Sequence, residues 1–324
     1  MKTPVVSVII PTYNRAHYLG TAIESVFNQT FQEFELIVVD DGSIDETRTL
    51  LDAIDDKRLI RLFREHKGIS AAMNSGILVA RGDYVARLDS DDVWMPEMLE
   101  MGAGILNSRP EVGLVYGKAQ QMDRNENLQP NIRGNLPRFQ RETLKSMLYG
   151  DFTCNIAILV RRECFDRVGL YDESMRTSED WDMWLRVARH YEFAFVDQIL
   201  ARFRVHEGNT THRTLAAFAD YLEGRPRVLD KLFSRPDLPP AVQAMRPMAY
   251  ERLYMGVGLC WLQTRQMRKA LRSFGKAIRL SGNPVVSPVR IIWHTLVWEV
   301  LSKYSWGRRL VEWQAGLFTQ WRSR

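Results

Sequence analysis

Cysteine is scarce. Cys154, Cys164 and Cys260 are the three in 324 residues. No C-x-x-C pair occurs among them, which argues against a zinc or disulfide framework and suits a reducing compartment. Apolar runs of about 18 uncharged residues, the length of a spanning helix, are missing as well. The first apolar stretch, Val5–Ile10, stops at Pro11 and is too short for a signal-peptide core, so a cytoplasmic protein is expected. There is no G-x-G-x-x-G and no G-x-x-x-x-G-K-[ST], so dinucleotide dehydrogenases and P-loop enzymes lack their phosphate cradle here. Low-complexity segments are also absent.

What remains is a globular composition, 45% hydrophobic and 26% charged, with its charge unevenly placed. Residues 1–211 hold 25 Lys+Arg against 32 Asp+Glu, a net of −7, whereas residues 212–324 hold 19 against 7, a net of +12. An acidic front and a basic tail predict two functional parts divided near Thr211. The acidic front argues against nucleic acid as a partner.

In the first hundred residues two periodicities alternate. Val5–Ile10, Glu35–Asp40, Leu59–Phe63 and Tyr84–Asp89 read as buried strands. Helical patterns lie between and after them, over Ala16–Asn28, Asp45–Asp55, Ile69–Ala80 and Pro96–Asn107. Alternation of this kind predicts βαβ units, an α/β fold with a mostly parallel sheet and helices on both faces. The polar segments Thr12-Tyr13-Asn14, Asp40-Asp41-Gly42-Ser43 and Asp89-Ser90-Asp91-Asp92 should then share the C-terminal sheet edge, where ligands bind. Farther on, Gln120–Asn135 reads as a loop or flap, Asn155–Val160 as a regular element and Ser178–His190 as a helix. Strands are expected at Phe193–Val196 and Leu200–His206, with helices alone after about Thr211.

Three carboxylates within Asp89–Asp92 repel one another, and a divalent cation relieves that repulsion. Oxygen ligands suit Mg²⁺ or Mn²⁺ shared with a phosphate-bearing substrate; a solvated acidic turn is the plain alternative. Asp40 fits a base or ribose contact, while Asp41-Gly42-Ser43 and Asp45 fit turn and helix-cap chemistry. At the start of the later helix, Asp180 stands three residues after Thr177. That spacing admits a capping box, or a carboxylate kept ionised by the helix N-terminus to act as a general base.

The ordered set Ser7–Arg15 (SVIIPTYNR), Val39–Thr47 (VDDGSIDET), Gly68–Gly76 (GISAAMNSG), Asp89–Asp92 (DSDD) and Glu179–Asp182 (EDWD) resembles family 2 glycosyltransferases of the GT-A fold, over residues 3–211. The resemblance implies that Pro11, Thr12 and Tyr13 line the nucleotide base and that Asp40 meets the base edge. It implies further that Asp89 contacts ribose or metal and that Asp91 ligates the divalent ion, Mn²⁺ or Mg²⁺. By the same resemblance Asp180 is expected to take the acceptor's proton. His206 resembles a late basic motif near the diphosphate or is an edge histidine, and Lys67 receives no role. The implied reaction moves one sugar from a nucleotide-diphosphate sugar, a UDP-sugar first, to a saccharide or lipid-linked acceptor with inversion, in cell-surface polysaccharide or glycolipid synthesis. A sugar-nucleotide nucleotidyltransferase, which would carry a Gly-rich loop near the N-terminus, and a silent nucleotide-sugar binding module are the rivals. A processive synthase is disfavoured because Q-x-x-R-W is missing.

In the tail, Tyr254, Gly258, Trp261, Ala270, Phe274 and Ala277 fall at tetratricopeptide spacing within residues 250–284, enough for one helical hairpin but not an array. Beyond it, Trp298, Trp306 and Trp313 share an arc of about 80° on a helical wheel, amid Arg290, Lys303, Arg308 and Arg309. Residues 285–324 thus fit either the headgroup zone of an anionic membrane, placing the protein peripherally on the inner face of the cell membrane, or an amphipathic helix with a Trp core.

Overall fold

The computed structural model describes residues 3–281 except 140, 207, 210–221 and 223. The Trp-rich stretch 285–324 lies outside the described residues. Two compact units are present, one reaching to Asn209 without 138–140, the other taking 138–140 and the residues from Thr210 on.

In the first unit the order is β1 (Val6–Thr12), α1 (Ala16–Phe27), β2 (Phe34–Asp40), α2 (Thr47–Asp52), β3 (Leu59–Phe63), α3 (Ile69–Val79), β4 (Tyr84–Arg87), β5 (Val93–Trp94), α4 (Met98–Ser108), β6 (Val112–Asp123), β7 (Leu128–Arg133), α5 (Thr143–Tyr149), β8 (Ile158–Arg161), α6 (Arg162–Val168), α7 (Glu179–Val187) and β9 (Glu192–Val205). The strands join in one sheet of order β3-β2-β1-β4-β8-β6-β9-β5, with β7 paired to β6. β1 to β4 are mutually parallel. β8 runs against both β4 and β6, and β9 is parallel to β6. β1 to β4, β6 and β9 therefore all point one way, and their C-terminal ends share one edge.

Strand periodicity builds both cores. Val6, Val8 and Ile10 of β1 join Leu19, Ile23 and Val26 of α1 and Leu99 and Ala103 of α4 in one cluster. Ile9 faces the other way, and there α3 lies so close that a Cβ on Gly76 would stand 2.7 Å from Ile9 Cγ2. The glycine of the N-S-G sequence is what lets this helix seat on β1.

Several expectations need correction. The stretch 120–135 is not a loop: β6 continues through it and turns back as β7, pairing Ala119 with Arg133 and Met122 with Leu128. Asp123 closes that turn by accepting the Asn125 and Asn127 amides at 2.8 and 3.0 Å. Its side chains are largely exposed and polar, so backbone pairing rather than an apolar pattern holds it. The two strands expected at 193–206 are one, β9, whose register against β6 shifts where polar Asp197 and Gln198 interrupt the apolar run. β4 stops at Arg87, which leaves Asp89 in the loop beyond, and α2 is shorter than its pattern at both ends.

The second unit is helical: α8 (Arg225–Phe233), α9 (Pro240–Gln243), α10 (Arg246–Gln263) and α11 (Met267–Leu280). Trp261, Ala270, Phe274 and Ala277 form its core with Leu222, Met255 and Val257. A Cβ on Gly258 would stand 2.4 Å from the Phe274 ring, so only glycine admits that ring between α10 and α11. Among the described residues no helix is long and apolar enough to cross a membrane.

Candidate active site

The turn after β1 is fastened to the loop after β2. Asn14 takes a left-handed conformation (φ 52°). Its amide donates to Ser43 Oγ at 2.8 Å, and its Oδ1 accepts the Ile44 amide at 2.9 Å. Asp45 accepts the Ala16 amide at 3.0 Å, capping α1 across the gap rather than only its own helix. Burial opposes charge on Asp45, but hydrogen bonds from Thr47 and Ala16 outweigh it and hold the carboxyl below the usual range.

At the ends of β1 and β2, Pro11 pairs with Val39 and Thr12 with Asp40. Thr12 Oγ1 is buried without a hydrogen-bond partner among the described residues. Asp40, also buried, accepts the Ser43 amide on Oδ1 at 2.9 Å, and its other oxygen makes no hydrogen bond among the described residues. The Tyr13 ring is exposed and stacks on His66 at 4.0 Å and 22°. The His66 ring is held in turn by Asp41, 2.8 Å from Nδ1. Asp41 also accepts the Gly68 amide at 2.7 Å and meets Arg64 Nε at 3.2 Å. Asp41 is thus the clip that positions the β3–α3 loop. Lys67 contributes its backbone amide to the same carboxylate at 3.2 Å.

The loop after β4 divides its three carboxylates. Asp92 is buried and accepts the Arg204 amide at 2.7 Å. Burial, then the charges of Asp91 and Asp89, raise its carboxyl well above the usual range. The Arg204 guanidinium donates to the Asp91 carbonyl at 2.9 Å and to Glu126 at 3.0 Å, tying this loop to the β6–β7 turn. Asp91 turns the other way, and its Oδ2 lies 3.0 Å from His206 Nε2 and 3.7 Å from Arg15 Nε. The Gly208 amide donates to His206 Nδ1 at 3.0 Å, so the neutral ring carries its proton on Nε2 and donates it to Asp91. Arg15 is itself aimed by a 2.7 Å bond to the Gly208 carbonyl.

Asp89 accepts Arg87 Nε at 2.8 Å, and the same guanidinium lies 3.8 Å from Glu179. Although burial opposes its charge, Asp89 and Glu179 keep the Arg87 guanidinium above its usual range. Burial, followed by the adjacent Asp180 charge, pushes the Glu179 carboxyl up to about 7. A buried cation therefore links the acidic loop to the first turn of α7.

That turn differs from the sequence expectation. α7 begins at Glu179 after Ser178, which is left-handed (φ 59°), buried and makes no side-chain cap, so Thr177 does not cap the helix and no capping box forms. Asp180 is buried and accepts the Asn155 side-chain amide, while Trp184 Nε1 donates to Asn155 Oδ1 at 2.7 Å. Asp182 instead accepts Arg186 Nε at 3.0 Å within the helix. Asn74 donates to the Tyr171 carbonyl at 3.0 Å and accepts its amide at 2.9 Å. It ties α3 to the segment leading into α7.

The structure thus gathers Pro11, Thr12, Tyr13 and Asp40 at the ends of β1 and β2, and Asp91 with His206 at the ends of β4 and β9. Arg15 and Arg87 connect these to each other and to α7. Sequence reasoning passed over Arg15, His66, Arg87 and Asn155. Arg15 was visible as the end of the first motif, but the others acquire their place only through contacts across the fold.

A sequence profile for "Glycosyl transferase family 2" matches residues 7–169. An uncharacterized glycosyltransferase of Rickettsia prowazekii (strain Madrid E) is 32% identical over 223 residues, 68% of this chain and 70% of that protein. Solved structures share the fold, among them the following two. TarS residues 1–349 of S. aureus in complex with UDP-GlcNAc superposes with a TM-score of 0.62 at 20% identity, over 85% of this chain and 81% of that one. The mannosyltransferase PcManGT of Pyrobaculum calidifontis, in complex with GDP-Man and Mn²⁺, gives 0.60 at 18% identity, over 98% and 86%.

Proposed function

The chain belongs to glycosyl transferase family 2, with a GT-A fold, and we propose that it transfers one sugar from a nucleoside-diphosphate sugar to a saccharide or lipid-linked hydroxyl with inversion. A UDP-sugar is the first donor to consider, and cell-surface polysaccharide or glycolipid synthesis the setting. The observation carrying this reading is the Asp91 cluster: one carboxylate at the parallel-sheet edge, flanked by His206 at 3.0 Å and Arg15 at 3.7 Å. It combines a ligand for a cation with a guanidinium for an anion, which is what a metal-bound diphosphate requires. The similar folds bind UDP-GlcNAc in one case and GDP-Man with Mn²⁺ in the other.

Mg²⁺ or Mn²⁺ fits the residues present. Asp91 Oδ1 and Asp89 Oδ2 are hard oxygens with no hydrogen bond among the described residues, and two carboxylates leave room for diphosphate oxygens and water. When bound, the ion neutralises charge growing on the departing diphosphate. Arg15 is placed to do the same from the protein side, while His206, its Nε2 proton held by Asp91, orients that carboxylate. Tyr13 on His66 offers a flat surface for the base, with Thr12 Oγ1 and the open oxygen of Asp40 for its edge. Asp180, oriented by Asn155 and Trp184, accepts the proton of the attacking hydroxyl. One such base serves a single displacement, hence inversion.

Product stereochemistry by NMR tests the displacement, and retention of configuration overturns it. Asp180→Asn should lower turnover about 100- to 10,000-fold, the worth of a general base, with donor binding kept. Unchanged turnover removes Asp180 from this role. Residues 285–324 extend the proposal to a peripheral site on the inner membrane face. Salt-sensitive sedimentation with anionic vesicles, lost on deleting 285–324, is expected. No sedimentation of the intact chain at low salt refutes it.

A further inference from the structure

α11 carries Arg268, Lys269, Arg272, Lys276 and Arg279 and no acidic residue. Its inner face, Ala270, Ser273, Phe274 and Ala277, is buried in the helical unit. Two of the cations serve the hairpin: Lys269 lies 3.9 Å over Trp261, and Lys276 lies 5.0 Å over Tyr254. The rest of the surface divides into two strips. At 100° per residue, Met267, Leu271 and Ile278 share an arc of about 40°, and Arg268, Arg272 and Arg279 share the neighbouring one. Met267 is 50% exposed and Leu271 62%, with Ile278 half-buried between that strip and the core. The three arginines are exposed and meet no carboxylate among the described residues.

A helix that only faces water usually intersperses Glu with Lys or Arg at i,i+4. An apolar strip alongside an unbroken cationic one, on a helix already held rigid by packing, suits the plane of a lipid headgroup layer. There the apolar side chains reach the acyl boundary while guanidinium groups pair with phosphates. We propose that this face of α11 docks the protein on an anionic bilayer. Charge selects the occupant. The chain's own residues 282–324 carry six Lys+Arg against Glu299 and Glu312, a net charge of the same sign as the arginine strip and so no electrostatic complement to it. Single-stranded nucleic acid would call for aromatic platforms among the cations, and this face has none. The proposal shares its lipid with the membrane reading of 285–324 but rests on different residues.

The test is co-sedimentation of the full chain with phosphatidylcholine vesicles, with and without phosphatidylglycerol, at low and high salt. The parent chain should bind only the anionic vesicles and release with salt. Since a basic residue near an anionic leaflet contributes about fivefold, R268Q/R272Q/R279Q should weaken binding roughly 100-fold. Leu271→Gln should weaken it by roughly tenfold. Both variants alter exposed side chains, and an unchanged thermal midpoint confirms that each is folded. Parent-like binding of the triple variant overturns the α11 surface even if deleting 285–324 abolishes sedimentation. No binding by the parent overturns both readings, as does retention on heparin without vesicle binding.

Discussion

The loops after β2 and β4 are built alike. Each carries adjacent aspartates that meet an arginine from another segment, Arg64 in one and Arg204 in the other, and in each the neighbours take opposite tasks. Asp41 and Asp92 are buried and spent on backbone amides, of Lys67 and Gly68 in one case and Arg204 in the other. Among the described residues Asp40 keeps a carboxylate oxygen without a hydrogen bond at the sheet edge, while Asp91 directs its side chain to His206 and Arg15. The division rests on contacts and not on exposure: Asp40 and Asp41 are both buried at the end of β2, and Asp91 and Asp92 lie in the turn after β4, where the Asp92 amide donates to the Asp89 carbonyl at 3.1 Å. One aspartate of each pair anchors the neighbouring segment and the other keeps an oxygen for a ligand. Asp182 and Asp180 repeat the division on α7, with Arg186 taking the first and Asn155 orienting the second.

Four substitutions probe that division. Arg87→Met should have the largest effect. It strands Asp89 and Glu179 without their shared cation, and a loss of about 3–5 kcal/mol is expected in urea unfolding; a loss below about 1 kcal/mol would mean that the buried link is idle. Asp41→Ala leaves the Gly68 and Lys67 amides and Arg64 Nε without their acceptor, and should cost about 2–4 kcal/mol of stability. Asp40→Ala at the neighbouring position should lose about 1 kcal/mol of stability, and nucleotide binding should weaken roughly tenfold in titration calorimetry. Equal stability losses at 40 and 41 would erase the distinction between the loops.

The smallest effect depends on pH. The Glu179 carboxyl titrates at about 7 in the folded chain against an ordinary value of 4.5. Between those values the native state keeps a proton that the unfolded chain has lost, so stability falls as pH rises through the window. Glu179→Gln should flatten that fall and exceed the parent at pH 8 by on the order of 1 kcal/mol. A profile as steep as the parent's would contradict it.

Much of this architecture is legible in the amino acids, and the exceptions have physical causes. Strands of a parallel sheet covered on both faces read as unbroken apolar runs, which is why Val6–Ile10 and Leu36–Val39 stand out. The β6–β7 hairpin escapes because hydrogen bonding of exposed polar residues leaves no pattern. β9 is read as two strands because Asp197 and Gln198 interrupt its hydrophobic run. Carboxylates at strand ends are visible as a local excess of charge. His66 under Tyr13, Arg87 between Asp89 and Glu179, and Asn155 on Asp180 are not, since each pairing is made by the fold. The Thr177 cap fails because Ser178 turns left-handed and delays the helix by one residue.

Titration of a UDP-sugar into the protein with and without Mn²⁺, for the parent, Asp91→Asn and Asp180→Asn, tests the account most directly. Metal-dependent binding should weaken at least 100-fold in Asp91→Asn and persist in Asp180→Asn, by the measure of a charge-stabilising group lost from a site. Parent-like binding by Asp91→Asn, or binding indifferent to Mn²⁺, would contradict it.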